Sequence, residues 1–192
     1  MKLILSSCDF RNEKSAQEII NNLGKPIGQC RLLFFPNEKA TYEKIHSRKY
    51  CDRMEEFGFN KENVYVFDYF NPDLFLGLDI DTIYISGGNT FLTLQRIRDA
   101  RFDKEIVRYV RSGVTYIGGS AGAHIASMNI EHVAAFDPLP DGFTDFRGLG
   151  LFNGIFVCHY TDDRQSLYDK LKVKSKYPVY ALSDDESILV NN

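Results

Sequence analysis

Val114–Ala123 reads VTYIGGSAGA. A short β-branched and aromatic run, Val114–Ile117, enters a glycine-rich turn at Gly118–Gly122, and small residues carry the chain onward as a helix over Ala123–Ser127. Gly118-Gly119-Ser120-Ala121-Gly122 fits the pattern G-x-S-x-G. A nucleophilic serine must project from a strand end on a sharply bent backbone. Small residues two positions before and after it let strand and helix close without a clash. Ala121 would then offer its backbone N–H where negative charge develops on a tetrahedral intermediate. The same five residues also suit a purely structural turn or a phosphate loop. The apolar strand before them and the small-residue helix after them are what a nucleophile requires.

A second glycine turn, Ile85-Ser86-Gly87-Gly88-Asn89-Thr90, also stands between a strand (Asp81–Ser86) and a helix (Thr90 to Ile97). In an open α/β sheet such turns meet at the carboxyl edge, where ligands bind. Gly88 is the candidate for a second oxyanion N–H. Asn89 is a candidate at the substrate, and it or Thr90 suits the helix cap.

The same alternation runs along the chain. Lys2–Ser6, Cys30–Phe35, Asn63–Asp68, Ile155–Cys158, Val179–Leu182 and Ser187–Val190 read as further strands. Asn12–Leu23, Thr41–Phe57, Asp103–Arg111 and Arg164–Lys174 read as helices, several punctuated by Gly or Pro. Strands alternating with helices predict an α/β fold with a mostly parallel sheet flanked by helices on both faces. With no repeat or linker, residues 1–192 are expected to form one domain.

A serine nucleophile needs a base. Of the four histidines, His46 lies in a charged stretch, and His124 is on the elbow helix, badly placed to face Ser120. His132 falls in a loosely patterned region. His159 ends the apolar run Ile155–Cys158 and so arrives at a strand edge. The third member is expected to be Asp184, which follows the strand Val179–Leu182 and so reaches the same sheet edge as His159, with Asp137 in the loop after the elbow helix as the alternative.

Hydrophobic residues make up 44% of the 192, charged residues 26%, and the net charge is −3. Lys and Arg are scattered, which speaks against a nucleic-acid partner. No run approaches the roughly 20 apolar residues that span a bilayer, and MKLILSSCDF is too short for a signal-peptide core. A soluble cytoplasmic protein without a membrane partner is expected. Its four cysteines, Cys8, Cys30, Cys51 and Cys158, are expected as free buried thiols. Their spacing offers no metal-binding cluster, and no cofactor is expected.

ISGGNTFLTLQ at Ile85–Gln95, GGSAGAHIAS at Gly118–Ser127 and the strand running into His159-Tyr160 together resemble the peptidase E family of aspartyl dipeptidases, with cyanophycinase as a more distant relative. The resemblance implies a flavodoxin-like three-layer sandwich akin to class I glutamine amidotransferases, with serine in place of their cysteine. It also implies a Ser–His pair plus an acid, with Ser120 and His159 in those places. Family members prefer a dipeptide with N-terminal aspartate, whose carboxylate needs a cation, and Arg164 is the candidate. The expected activity is a serine peptidase acting on short peptides. Another acyl hydrolase (esterase or amidase) and an inactive binding homologue remain open.

Overall fold

The computed structural model describes residues 1–191. In chain order the strands are β1 (Lys2–Ser6), β2 (Leu32–Phe35), β3 (Val64–Val66), β4 (Thr82–Ile85), β5 (Thr115–Gly119), β6 (Ile155–Val157), β7 (Val179–Ala181) and β8 (Ser187–Asn191). The helices are α1 (Glu13–Asn21), α2 (Tyr42–Ile45), α3 (Lys49–Glu56), α4 (Thr90–Asp99), α5 (Asp103–Arg111), α6 (Ala121–Ala126) and α7 (Gln165–Lys174). Six strands form one sheet in the order β3-β2-β4-β5-β1-β8, parallel throughout except for the antiparallel edge strand β8.

Alternate residues of the central strands build two cores. Leu3, Leu5, Leu33, Phe35, Ile83, Ile85 and Tyr116 face one side, covered by α4, α5 and α6. Ile4, Leu32, Phe34, Tyr84 and Ile117 face the other, covered by Ile19 of α1 and Met54 of α3. Strands buried on both faces explain why LLFF at Leu32–Phe35 is apolar without alternation. The result is the three-layer α/β sandwich.

Two segments and the burial of two cysteines depart from the sequence reading. β6 and β7 do not join the main sheet; they pair with each other as a separate parallel ribbon. Thr41–Phe57 is two helices, not one. Thr41 caps the first, its hydroxyl accepting from Lys44 N. The Ser47 hydroxyl donates to Lys44 O at 2.8 Å and accepts from Lys49 N at 3.3 Å, which gives the backbone an alternative to helical pairing where the two helices part. All four cysteines are free, but only Cys30 and Cys158 are buried, and Cys8 and Cys51 are half-buried. No helix of the described residues is long and apolar enough to cross a membrane.

The sheet and α6 close on one another at Gly122. A Cβ there would sit 2.1 Å from Ile85 O. Ala normally favours a helix interior over Gly by about 1 kcal/mol. Here the clash reverses that sign, and Gly122→Ala should cost about 1–3 kcal/mol or more in chemical denaturation. Gly28→Ala, whose Cβ would meet nothing nearer than Gly58 O at 3.7 Å, should change stability by less than about 1 kcal/mol. Equal effects from the two variants would contradict the packing argument.

Candidate active site

Because β5 is paired in parallel with both β4 and β1, the loops after all three strands emerge at the same sheet edge. Ser120 follows β5 with φ 50° and ψ −104°, left-handed values rare for a residue with a side chain. Its N–H donates to Ser6 O at 2.9 Å. Its carbonyl accepts from Ala123 N and His124 N at 3.0 and 3.1 Å, and so starts α6. The glycines beside it are sterically required. A Cβ on Gly119 would lie 2.2 Å from Asp9 Oδ2, and one on Gly118 would lie 2.7 Å from the Gly122 carbonyl. Ala121, first in α6, has no intrahelical acceptor for its N–H.

The ribbon β6–β7 brings two further groups to this edge. In its register Val157 lies opposite Ala181, so His159, two residues on, and Asp184, three residues on, emerge side by side. His159 Nε2 lies 2.9 Å from Ser120 Oγ, and Nδ1 lies 2.5 Å from Asp184 Oδ1. A carboxylate only accepts, so the proton belongs on Nδ1, and Nε2 is left with a lone pair facing the Ser120 hydroxyl. Asp137 is elsewhere: its Oδ2 accepts from Thr90 N at 2.7 Å and caps the start of α4.

The second glycine turn lies against the first. A Cβ on Gly87 would be 3.5 Å from Ser120 Cβ. Asn37 Nδ2 holds the Gly87 carbonyl at 2.9 Å. The trans peptide therefore turns the Gly88 N–H to the opposite side, and no group among the described residues accepts from it. Gly88 has φ 154°, and a Cβ there would strike Glu38 Oε2 at 2.4 Å. Asn89 takes the helix-cap place that the sequence reading allowed for it, and Arg164 has partners other than the one expected. Asn89 Oδ1 accepts from Leu92 N (2.9 Å) and its Nδ2 donates to Pro138 O (2.8 Å), so the amide is engaged at both ends as a helix cap and loop tie. The turn at Asp162–Arg164 folds the Arg164 guanidinium back onto Cys158 O at 2.5 Å and over the Phe136 ring at 4.0 Å. There it fastens the loop that carries His159.

Another cation lies against the second glycine turn, beside Gly87. Asp9, 1% exposed with φ 52°, pairs with Arg11, whose Nε is 3.0 Å from Oδ1. Arg11 Nη2 would stand 2.9 Å from a Gly87 Cβ, so Arg11 and Ser120 flank the same glycine. Arg11 opens into a cleft of about 100 Å³ lined also by Asn37, Tyr50, Arg53 and Tyr84. Asp9 offsets Arg11, and Arg53 leaves the cleft positive. The sequence reading missed Asp9 and Arg11, although they too follow a strand end, that of β1.

Burial sets the state of the nearby groups. It pushes the Cys158 and Cys8 thiols up, so neither is a thiolate at neutral pH. Burial, then Asp9, raises the Tyr84 phenol well above its usual range. The His124 and His132 rings lie tilted at 31° to one another with centroids 5.7 Å apart. Burial, then the charge of His132, pushes His124 well down, and burial lowers His132. His132 Nε2 donates to Phe156 O at 2.5 Å, whereas neither ring nitrogen of His124 has a partner among the described residues. No three His, Cys, Asp or Glu side chains among them gather in a way that could hold a metal ion.

The sequence model of peptidase family S51 matches residues 3–192. An uncharacterized peptidase of Pasteurella multocida is 34% identical over 119 residues, 58% of this chain and 56% of that protein. Peptidase E of a Nostoc species is 25% identical over 149 residues, 76% of this chain and 58% of that protein. The chain thus spans little more than half the length of these two relatives. A protein of Drosophila melanogaster described as a "probable alpha-aspartyl dipeptidase" is 27% identical over 166 residues, 83% of this chain and 66% of that protein. A crystal structure from Listeria monocytogenes, provisionally named peptidase E, superposes with a TM-score of 0.73 at 24% identity, over 98% of this chain and 93% of that one. That likeness is one of fold.

The two buried imidazoles predict acid lability. Held neutral in the fold, they become protonated in the unfolded chain below about pH 6.5, so the unfolded state binds more protons there. Stability is therefore full above that pH and falls as pH drops through it. His124→Leu should weaken this dependence, read as the shift in urea midpoint between pH 7.5 and 5.5. An unchanged shift would contradict the assignment.

Proposed function

Because the chain belongs to peptidase family S51, we propose that it is a serine peptidase of short peptides in which Ser120, His159 and Asp184 act as nucleophile, base and acid. The observation that carries the reading is the continuous relay from Ser120 Oγ through His159 to Asp184, with links of 2.9 and 2.5 Å. Ser120 Oγ attacks the scissile carbonyl carbon while His159 Nε2 takes its proton. The carbonyl π electrons move to oxygen, and the N–H groups of Ala121 and Gly88 are the donors available to that oxyanion. The tetrahedral intermediate collapses, and the C–N bond breaks as His159 returns the proton to the leaving amine. Water, deprotonated by the same nitrogen, then cleaves the acyl-enzyme. Asp184 keeps the proton on Nδ1 and stabilises the imidazolium.

For specificity we propose an N-terminal acidic residue, with Arg11 as the cation that receives its carboxylate. Arg164 is engaged with Cys158 O; Arg11 is held by Asp9 and by Cys8 O, but its side chain is 43% exposed and it shares Gly87 with Ser120. The cleft's roughly 100 Å³ equals about three waters at liquid density, room for a side-chain carboxylate. One carboxylate balances the surplus charge of Arg53.

Ser120→Ala should remove nearly all turnover and all fluorophosphonate labelling while leaving the thermal midpoint within a few degrees. Asp184→Asn should lower kcat by about 10⁴-fold, the scale of losing the tautomer-fixing carboxylate, with KM little changed. Asp137→Asn should perturb stability far more than kcat. Activity of Ser120→Ala near wild type would sink the mechanism, and a severe kcat loss confined to Asp137→Asn would reassign the acid.

A panel of Asp-X, Glu-X and neutral dipeptides tests the specificity. Arg11→Lys keeps a charge beside buried Asp9 but loses the planar fork. It should lower kcat/KM for Asp-X by about 10- to 100-fold, the scale of a hydrogen bond to a charged group, and leave neutral dipeptides nearly unaffected. Loss of the Asp-X preference in Arg164→Ala but not in Arg11→Lys would return the role to Arg164.

A further inference from the structure

Ser7 is fully buried and makes three contacts at the heart of the relay. Its hydroxyl oxygen accepts from the backbone N–H of His159 at 2.7 Å. The same Oγ lies 3.2 Å from Asp184 Oδ1 and 3.4 Å from His159 Nδ1. A hydroxyl carries one proton. His159 Nδ1 already donates to Asp184, so the Ser7 proton goes to the carboxylate, and Asp184 Oδ1 accepts from both. Both residues it grips need holding. His159 has φ 51°, a left-handed backbone that an L residue adopts only when its surroundings enforce it. The Asp184 side chain is 59% exposed on a loop, where a free carboxylate would rotate and hydrate. Two further bonds tie that loop to the first βα unit: buried Ser15 donates its hydroxyl to Asp184 O at 3.2 Å, and Ser7 N–H donates to Glu186 O at 3.3 Å.

We propose that Ser7 is a positioning residue of the reaction, fixing His159 through its backbone and Asp184 through its carboxylate so that imidazole and acid stay in register with Ser120. It touches neither substrate nor the reacting atoms, and its effect passes through the pair it holds. The inference rests on the serine-peptidase reading above. It also explains a structural problem which that reading leaves open. The base and acid ride on a ribbon separate from the sheet that carries the nucleophile, and Ser7, one residue beyond β1, joins the two.

The test is steady-state kinetics of the full chain on a dipeptide that the wild type cleaves, with Ser7→Ala and Ser7→Cys made alone and in an Asp184→Asn background. Ser7→Ala should lower kcat by about 10- to 100-fold, the scale of one hydrogen bond to a charged group, with KM within about twofold of wild type. In the Asp184→Asn background the same change should cost clearly less than in the wild-type background, because one of the two groups it orients is gone. If Ser7→Ala does not fold, Ser7→Cys carries the same expectation, since a thiol occupies the site but donates weakly. A kcat near wild type, or an undiminished loss on top of Asp184→Asn, overturns the proposal. A wild type that cleaves nothing and resists fluorophosphonate sinks the peptidase reading instead. The Ser7 assignment is then read from the far-downfield Nδ1 proton resonance of His159, expected in wild type and lost in Ser7→Ala; its persistence in the variant overturns the assignment.

Discussion

The site is built on a steric constraint: three glycines beside Ser120 have no room for a Cβ. At Gly122 the intruding neighbour is the Ile85 carbonyl, at Gly119 the Asp9 carboxylate, and at Gly118 the Gly122 carbonyl, all within 2.7 Å. With those positions bare, α6 seats directly on the ends of β4 and β5, and Ser120 is forced into its left-handed turn. Of the four non-glycine residues with positive φ among the described residues, three, Asp9, Ser120 and His159, lie in this small region. Each such residue costs on the order of 1–3 kcal/mol, and the packing around them must offset it.

Polar connections then fasten independent parts of the fold to that elbow. Asp137 and Asn89 start α4, and Arg96 holds the carbonyls of Asn37, Glu38 and Ala40 while its guanidinium lies 4.2 Å over the Tyr69 ring. That loop carries Asn37, which sets the orientation of the Gly87 peptide. On the other side Ser7, Ser15 and Arg164 bind the β6–β7 ribbon and its loops. The pair of buried Asp9 and exposed Arg11 lies between the two. Removing Arg11 would leave the buried Asp9 carboxylate without its counter-charge, which is costlier than the pair itself is stabilising.

Much of this was legible in the chain. The elbow is a local pattern whose steric reason is contained in five residues, and Gly118–Gly122 announces it without any partner. The alternation of strand and helix gave the layer order, because apolar runs of four to six residues between amphipathic helices suit only a parallel sheet covered on both faces. The break in Thr41–Phe57 was less visible, since it depends on Ser47 competing for backbone groups at both sides. Asn89 was legible as a helix cap, whereas the partners of Arg164, the Cys158 carbonyl and the Phe136 ring, carry no sequence signature.

The sequence by itself determined the sharp turn at Ser120, the sheet edge at which it emerges and the short strands that end near His159 and Asp184. These follow from short-range sterics and hydrophobic periodicity, which a linear chain records. Only the tertiary structure decided that β6 and β7 form their own ribbon, that Ser7 bonds to Asp184 and to the His159 backbone, and that Arg11 stands against Gly87. Those outcomes depend on side chains separated by as many as 177 positions, as in the Ser7–Asp184 hydrogen bond. Such distances are closed by packing, and the residue types at either end are too common to reveal the pairing.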